Sequence, residues 1–284
     1  MLNNIESTPS LEITPVLLSS SYVFDRKSCM ESLQNTLSPE IFALINQDLY
    51  TDFQEALARL PFSAREQSKI QETLLLMIEI HSKQDPRPDG EAYINHPLRV
   101  ALRCITEFGV VSCDGICAAL LHDSVEDQAK ALVQSVGIDP QSISKEALKT
   151  TALDVITTRF SDRTAKIVSL LTNPDFTLYV ENKKSSGDLR DAVVIKNEAY
   201  FIHFFEILDA DAEAFKIKLA DFSENALSLG NLEEGSKKDK LRSKYGPVLA
   251  EVILRASAED HKLQVSERFL AHAKDVYEAC YKKR

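Results

Sequence analysis

The pattern of apolar and polar positions along this chain is that of a succession of helices. In the segment 63–82, Ile70 and Leu74 are four positions apart, so they share one face of a helix. Ser63 and Glu66 make the capping-box pattern with which such a helix begins. The same reasoning predicts helices over residues 97–108, 113–123, 145–159, 163–172, 189–208 and 210–229, two or three short ones within 28–62, and two within 237–284 that separate near Glu259-Asp260.

Turn and capping residues indicate where helices begin and where loops lie. Ser38-Pro39-Glu40 and Thr51-Asp52-Phe53-Gln54 each predict a helix start. Residues 1–27 combine prolines, a serine cluster and little periodicity, and they therefore predict an irregular lead-in. Residues 173–188 begin with Asn173-Pro174 and continue through a polar run, so they predict a loop. A loop of that length within a compact domain is often functional or mobile.

Composition favours an all-α fold. A chain of 284 residues, 44% of them hydrophobic, can bury a full core as one large domain or as a domain with an appendage. It contains only 8 glycines, and long stretches lack turn residues, which favours helices over many short strands. The net charge of −10 and the absence of a long basic run argue against nucleic acid as the main partner. A single local group of cations would still suffice for a small anionic ligand.

The cysteines and the apolar runs bear on the compartment. The cysteines form no CxxC pair and no disulfide-like framework, and Cys104, Cys113 and Cys117 lie among apolar residues as small buried hydrophobes do. No basic segment followed by a long apolar run begins the sequence, and no apolar run approaches the roughly 20 residues that span a bilayer. We expect a soluble, cytoplasmic protein without a membrane partner.

The strongest chemical signal is the stretch 120–127, Leu-Leu-His-Asp-Ser-Val-Glu-Asp. Read as a helix, it places His122 and Glu126 on one face, as it does Asp123 and Asp127, because each pair is four positions apart. Ionisable groups at the end of an apolar helix are expensive to bury without partners. Imidazole and carboxylate are both good ligands for a divalent cation, which would compensate them. The simpler interpretation is a solvated or capping His-Asp pair.

Further candidate residues lie on either side of this stretch. The polar loop 83–91 carries two cations, Lys83 and Arg87, which could contact phosphate. His96 precedes Pro97 and falls at the start of the next predicted helix. His81 lies on the buried face of its helix, and a satisfied core histidine is the commoner explanation, so we exclude it from the metal ligands.

One later helix also carries a polar face. Lys218, Asp221 and Asn225 are spaced by three and four positions, so they lie on the same side of the predicted helix 210–229. Taken alone, this segment is explained equally well as an ordinary amphipathic helix with a polar stripe. The segment gains significance only in combination with the histidines upstream. The Lys and Glu residues of 237–284 have the pattern of a solvated helix face.

Three motifs in order resemble the hydrolase domain of the RelA/SpoT family, a branch of the HD superfamily. They are residues 93–101 (Tyr-Ile-Asn-His-Pro-Leu-Arg-Val-Ala), residues 118–127, and Lys218-Leu219-Ala220-Asp221 with Asn225 four positions on. The resemblance covers residues 64–232 and implies an HD-domain helical bundle at 63–232. It would carry an N-terminal extension at 1–62, irregular then helical, and C-terminal helices at 233–284 packing on it. The organisation is similar to that of a small alarmone hydrolase, and a homo-oligomer stays open.

The resemblance also implies roles for individual residues. In such a hydrolase one divalent ion, normally Mn²⁺, supports removal of pyrophosphate from the 3′ position of guanosine tetra- or pentaphosphate, giving GDP or GTP. Glu126 and Asp127 would position and deprotonate the attacking water. The implied metal ligands are His96, His122, Asp123 and Asp221, and the candidate substrate-binding residues are Lys83, Arg87, Lys218 and Asn225.

The sequence departs from the family pattern in places that keep alternatives open. Phe222 follows Asp221 where the family usually has a basic residue, and the region 128–210 is expanded. An adenosine analogue of the alarmone is therefore also a candidate substrate. Other enzymatic alternatives are a 5′-nucleotidase or an NADPH 2′-phosphatase, although the Glu126-Asp127 pair favours the alarmone branch. A non-catalytic nucleotide sensor, with residues 1–62 as its effector or partner surface, is a further alternative.

Overall fold

A computed structural model describes residues 24–87, 89–258, 263 and 265–281, and all regular structure within them is helical. The all-α prediction is therefore confirmed. Most of the predicted lead-in, residues 1–23, and the predicted break near Glu259-Asp260 lie outside the described residues. The helices are α1 (Arg26–Thr36), α2 (Pro39–Phe42), α3 (Gln47–Ala58), α4 (Ala64–His81), α5 (Asn95–Thr106), α6 (Cys113–Leu121), α7 (Ser124–Asp127), α8 (Ala129–Gln134), α9 (Lys145–Arg159), α10 (Asp162–Leu171), α11 (Phe176–Ser185), α12 (Ala192–Ala210), α13 (Ala212–Ala226), α14 (Ser236–Ser257) and α15 (Glu267–Val276).

Local capping chemistry explains where several helices begin. The Ser63 hydroxyl accepts from the amide of Glu66 at 3.3 Å, and the Glu66 carboxylate accepts from the amide of Ser63 at 2.9 Å, so the predicted capping box of α4 is present. The predicted start at Ser38-Pro39-Glu40 is also confirmed. The predicted start at Thr51 is wrong, because Asn46 caps α3 and the Thr51 hydroxyl donates back to carbonyls within that helix.

The loop predicted over residues 173–188 is in fact mostly helix α11. Asp175 caps this helix by accepting from the amide of Thr177 at 2.9 Å. The helix packs on α12, and the Tyr179 hydroxyl donates to Glu198 across that contact at 2.8 Å. The polar composition of α11 matches its position at the surface, where none of its residues is buried. Tertiary support from α12 outweighs its weak apolar periodicity.

The centre of the bundle is α6, and it delivers the candidate site residues. The residues of α6 are buried on all sides, with the exception of Asp114, and the helix packs against α4, α5 and α10. A helix that is apolar all round is buried on all sides. Its end therefore carries His122 into the interior instead of to the surface. Helices α5 and α13, which also pack on each other, flank it.

Residues from all three predicted segments share one hydrophobic core. Phe53 of α3 is fully buried, as are Leu74 of α4 and Val248 of α14. Asn95, at the start of α5, accepts from the amide of Asn46 at 2.9 Å and donates to the carbonyl of Leu44 at 3.1 Å. These contacts join the N-terminal helices to the remainder of the bundle. The predicted boundaries near residues 62 and 233 stay predictions.

The cysteines are consistent with the sequence-based expectation. All five have free thiols, and Cys104, Cys113 and Cys117 are buried as predicted. Their packing explains them as small apolar side chains. Among the helices that the structure describes, none is both long enough and apolar enough to cross a bilayer.

Candidate metal centre

Two histidines and an aspartate from three helices converge in the interior. His96 comes from the first turn of α5, His122 directly follows α6, and Asp221 lies on α13. Their candidate donor atoms all lie within 4.8 Å of one another, and all three residues are buried. The His96 Nε2 atom is 3.3 Å from Asp221 Oδ1, and the His122 Nε2 atom is 3.7 Å from the same oxygen. This group could hold a metal ion.

Asp123, the fourth predicted ligand, borders this group. Its Oδ2 atom lies 3.0 Å from Nε2 of His122 and 3.5 Å from Nε2 of His96. The same oxygen accepts a hydrogen bond of 2.6 Å from the Tyr93 hydroxyl. Helix α6 ends before His122 and α7 begins at Ser124, so the predicted helix 113–123 was two residues too long at this end.

The hydrogen bonds around His122 fit a metal ligand. Its Nδ1 atom lies 2.9 Å from the carbonyl oxygen of Ala119, and a carbonyl can only accept, so Nδ1 carries a proton. Nε2 makes no hydrogen bond although it lies beside two carboxylates. In the neutral ring, the Nε2 lone pair therefore faces negative oxygens. This arrangement is stable only with a cation or a proton between them, and a backbone carbonyl behind the ring is the usual support of a metal-bound imidazole.

The electrostatics of the group also favour a bound cation. Burial lowers the pKa of His122, but Asp123 and Asp221 more than offset this effect and raise it to about 10. Burial raises the pKa of Asp221, whereas Lys218 and the two histidines hold it well below the usual range. The carboxylates are thus ionised at neutral pH. The site has a strong preference for positive charge between its side chains.

The predicted acid pair, Glu126 and Asp127, lies at the edge of the candidate metal centre. Asp127 accepts from the Tyr93 hydroxyl and from Nε2 of Gln84, both at 3.0 Å. Tyr93 thus joins Asp127 to Asp123. Glu126 has a different partner. It accepts from the backbone amide of Asn173 at 3.1 Å and from Nδ2 of the same residue at 2.9 Å.

An open cleft of about 570 Å³ reaches the candidate metal centre from the surface. Arg87 lines it and donates to Oδ1 of Asn225 at 3.1 Å, and Asn225 donates to Oδ1 of Asp221 at 2.8 Å. Lys218 also lines it, with Nζ 3.4 Å from Oδ2 of Asp221. Lys83 is exposed and is not among the lining residues. The structure thus brings together every predicted site residue except Lys83.

Several residues of the cleft were missed by the sequence reasoning. Tyr93 stands three positions before His96, a spacing that could have indicated it. Asn173 was assigned to a loop without a role. Helix α14, taken as a solvated face, in fact contributes part of the wall through Lys237, Leu241, Lys244 and Tyr245. No local pattern marks these residues, because only the packing of α14 across the open side of the cleft brings them to the site.

Comparison with known proteins does not assign this chain to a family, so its class is argued from its fold and its site. A scan against protein-family models finds no match, and no curated protein matches the chain significantly. What the structure defines is an all-α protein with a buried His96, His122 and Asp221 group that could hold a metal ion at the base of an open cleft.

Proposed function

We propose that this chain is a metal-dependent hydrolase that removes the 3′-pyrophosphate of alarmone nucleotides, of the guanosine or the adenosine type. The observation that carries the proposal is the group of His96, His122 and Asp221 at the base of a cleft that also holds cations. The order and spacing of the three motifs that resemble the RelA/SpoT hydrolase domain support it further.

In this proposal, four side chains hold one divalent ion, and the resemblance implies Mn²⁺. Two imidazoles and two carboxylates are ligands that Mn²⁺ accepts, and four protein ligands leave positions for water and substrate. When bound, the ion supplies Lewis acidity to a phosphoryl oxygen and acidifies water. Asp123 belongs to this set because its Oδ2 atom lies within 3.5 Å of both ligand nitrogens.

Glu126 and Asp127 are the proposed proton acceptors. Both carboxylates are exposed and line the cleft beside the metal centre. Asp127 is held by Tyr93 and Gln84, and Glu126 is held by Asn173, so each is oriented by neutral donors that do not themselves titrate near neutral pH. A general base must be held within hydrogen-bond reach of the water it deprotonates.

Substrate binding is assigned to the cations of the cleft. Arg87 and Lys218 are tied to the metal centre through Asn225 and Asp221, so they would place phosphate oxygens next to the ion. The position of Arg87 favours it over Lys83 for this role. A volume of about 570 Å³ suits a nucleotide, since ligand pockets typically enclose about 300 to 1,000 Å³.

Product analysis tests the proposal. The full chain is incubated with guanosine tetraphosphate and Mn²⁺, with EDTA in a parallel sample, and the products are separated by anion exchange. We expect GDP and pyrophosphate, and neither product with EDTA. Asp123→Ala should abolish turnover and leave the helical circular-dichroism spectrum unchanged. Asp154→Ala, on the exposed side of α9, is the matched control and should retain full turnover.

Other outcomes separate the alternatives. Turnover of the adenosine alarmone alone would fix the base preference. Release of phosphate from NADPH or from a 5′-nucleotide would assign a different phosphatase activity to the same centre. Nucleotide binding that survives EDTA, without turnover of any of these, would identify a sensor. Full turnover by Asp123→Ala would overturn the assigned metal centre.

A further inference from the structure

A second cavity adjoins the metal cleft and extends it. It has a volume of about 340 Å³ and shares four lining residues with the cleft, namely Glu126, Asn173, Tyr200 and Lys244. Helix α12 adds Lys196 and Asn197 to its wall. The two cavities are therefore neighbouring compartments of one depression, with Tyr200 and Lys244 at their junction.

Lys244 is placed against aromatic rings instead of a carboxylate. Its Nζ atom lies 4.3 Å from the ring centre of Tyr200 and 5.0 Å from that of Tyr245. Lys218 approaches Tyr200 as well, at 5.8 Å, but Lys218 has Asp221 as its partner. Within the part of the chain that the structure describes, neither Lys244 nor Lys196 has a carboxylate oxygen within 4 Å.

The position of Lys244 carries a desolvation cost that a bound anion would reduce. Burial lowers the pKa of Lys244 most, the charges of Lys218 and Lys196 lower it further, and the carboxylates of Asp221 and Glu126 offset only part of the lowering. Two acids line the second cavity, Glu126 and Asp175, and Glu126 accepts its hydrogen bonds from Asn173, a neutral donor. The cation–π contacts offset part of the desolvation, but they bring no negative charge to the site.

We propose that Lys244 and Lys196, with Tyr200 between the two cavities, form an anion subsite for the substrate phosphate that lies farthest from the metal centre. The inference rests on the proposed function. It means that the preferred substrate carries phosphate groups at two separate positions, one at the metal and one at the subsite. A nucleotide with phosphate at one position only leaves one of the two subsites without a ligand, and it binds more weakly.

Binding of inorganic pyrophosphate in the presence of EDTA tests the subsite apart from the metal. Isothermal titration of the full chain should give saturable binding that Lys244→Met weakens by about 10- to 100-fold, as expected for the loss of charge-assisted hydrogen bonds. Lys240→Met is the matched control, because Lys240 is exposed on the same helix and does not line either cavity. Equal affinity for wild type and Lys244→Met would overturn the subsite.

Thermal unfolding separates binding from folding. Since Lys244 has no carboxylate oxygen within 4 Å among the described residues, Lys244→Met should unfold without added anion at a Tm close to that of the wild type. Pyrophosphate should raise the Tm of the wild type and of Lys240→Met, and raise that of Lys244→Met by clearly less at the same concentration. Lys196→Met provides a second variant whose folding is not in question, because Lys196 is exposed. Its pyrophosphate affinity should also fall, and unchanged affinity would contradict the assignment of Lys196.

Kinetics distinguish failure of the subsite from failure of the proposed function. Lys244→Met should raise the KM for guanosine 3′,5′-bis(diphosphate) by about tenfold or more and leave the KM for guanosine 3′-diphosphate unchanged. Turnover with equal KM values for both proteins would leave the function standing and remove the subsite. Absence of turnover, together with loss of pyrophosphate binding in Lys244→Met, would remove the function and leave the subsite standing.

Discussion

The groups on either side of the His122 ring make it suitable as a metal ligand. The apolar helix α6 buries it, the Ala119 carbonyl fixes the proton on Nδ1, and Nε2 is left facing Asp123 and Asp221. The sequence could predict these residues because the histidine and aspartate stand side by side after an apolar run. It could not predict Asn173 or Lys244, since their positions depend on how distant helices pack. A motif can be read from neighbouring residues in the sequence, whereas the wall of a cleft is formed only by tertiary packing.

Tyr93 is expected to hold the two acids of the site in place. Its hydroxyl lies 2.6 Å from Oδ2 of Asp123 and 3.0 Å from Oδ2 of Asp127, so its single proton is shared between the two carboxylates. Tyr93→Phe removes both hydrogen bonds and retains the ring that stacks on His81. Supporting hydrogen bonds of metal ligands are typically worth 10- to 100-fold in metal affinity or activity, so we expect a loss of about that size.

Titration calorimetry with Mn²⁺ measures this effect. Tyr277→Phe, in the C-terminal segment and outside the cleft, is the matched control and should bind Mn²⁺ as the wild type does. Unchanged affinity and turnover in Tyr93→Phe would show that Asp123 and Asp127 are positioned without the hydroxyl.

Metal binding should depend on pH through His122. Its pKa is raised to about 10 by the two aspartates, so below that pH the ring carries a second proton when no cation is bound. A cation must displace that proton, and binding therefore strengthens as the pH rises and weakens as it falls. One released proton corresponds to about a tenfold change in the apparent Kd for each pH unit between pH 6 and 8.

Calorimetry in two buffers of different ionisation enthalpy counts the protons released as Mn²⁺ binds. Close to one proton is expected at neutral pH. A Kd for Mn²⁺ that does not change between pH 6 and 8 would argue against proton displacement at this ring.

At the scale of the elements, α4 was predictable from its sequence and α11 was not. Helix α4 is set by its capping box and by apolar positions at Ile70 and Leu74, both of which are local signals. Helix α11 has almost no apolar stripe, and its contact with α12 supports it. Helix α14 was predicted as a helix, but its contribution to the cleft was not. Part of its polar face, for example Lys240, is exposed, whereas Lys237 and Lys244 line the cleft.

Gly115 is required for the close approach of α6 to the start of α13. A Cβ atom at this position would lie 2.6 Å from Oε1 of Glu213 and 2.7 Å from Cγ1 of Val110. Glu213 cannot easily move, because it accepts from the Ser112 hydroxyl at 2.6 Å and from Arg163 at 3.0 Å. Gly115→Ala should therefore lower the free energy of unfolding by about 1–3 kcal/mol.

The sign of this change is diagnostic, since Gly→Ala inside a helix otherwise stabilises by up to about 1 kcal/mol. Urea unfolding followed by circular dichroism measures it. Gly230→Ala is the control, because its Cβ would meet only the Cys280 sulfur at an ordinary 3.7 Å. A stabilised Gly115→Ala variant would mean that α6 and α13 are not held as closely as the structure has them.

At the scale of the whole molecule, the charge distribution bears on the ligand, and the packing of the core bears on stability. The chain has a net charge of −10, and its cleft mixes acids with four cations, Arg87, Lys218, Lys237 and Lys244. So local a group of cations suits a small anionic ligand better than a long polyanion. The core is shared by helices of the N-terminal extension, the central bundle and the C-terminal helices. The composition left open one large domain or a domain with an appendage. Which helices of the extension enter it depends on the packing of α3 against α5, and the pattern within 28–62 is too short to specify that contact.

This shared core predicts that the extension unfolds together with the site. Phe53 of α3 is completely buried, and Phe53→Ala should lower the free energy of unfolding by about 3–5 kcal/mol. Helix α3 packs on α5, whose first turn carries His96 and the Asn95 side chain bonded to residues 44 and 46. Loss of the N-terminal helices should therefore disturb the metal centre as well. Leu44→Ala, at a side chain 37% exposed, is the control and should change stability by no more than about 0.5 kcal/mol.

The measurement is urea unfolding of Phe53→Ala, followed in parallel by circular dichroism and by retention of Mn²⁺. A single transition with both signals coincident, shifted to lower urea than in Leu44→Ala, is the expected result, because one cooperative core gives one transition. An early loss of part of the helical signal, with Mn²⁺ retained until a second transition, would contradict it. The N-terminal helices would then be an independently folding attachment, and the geometry of His96 would not depend on them.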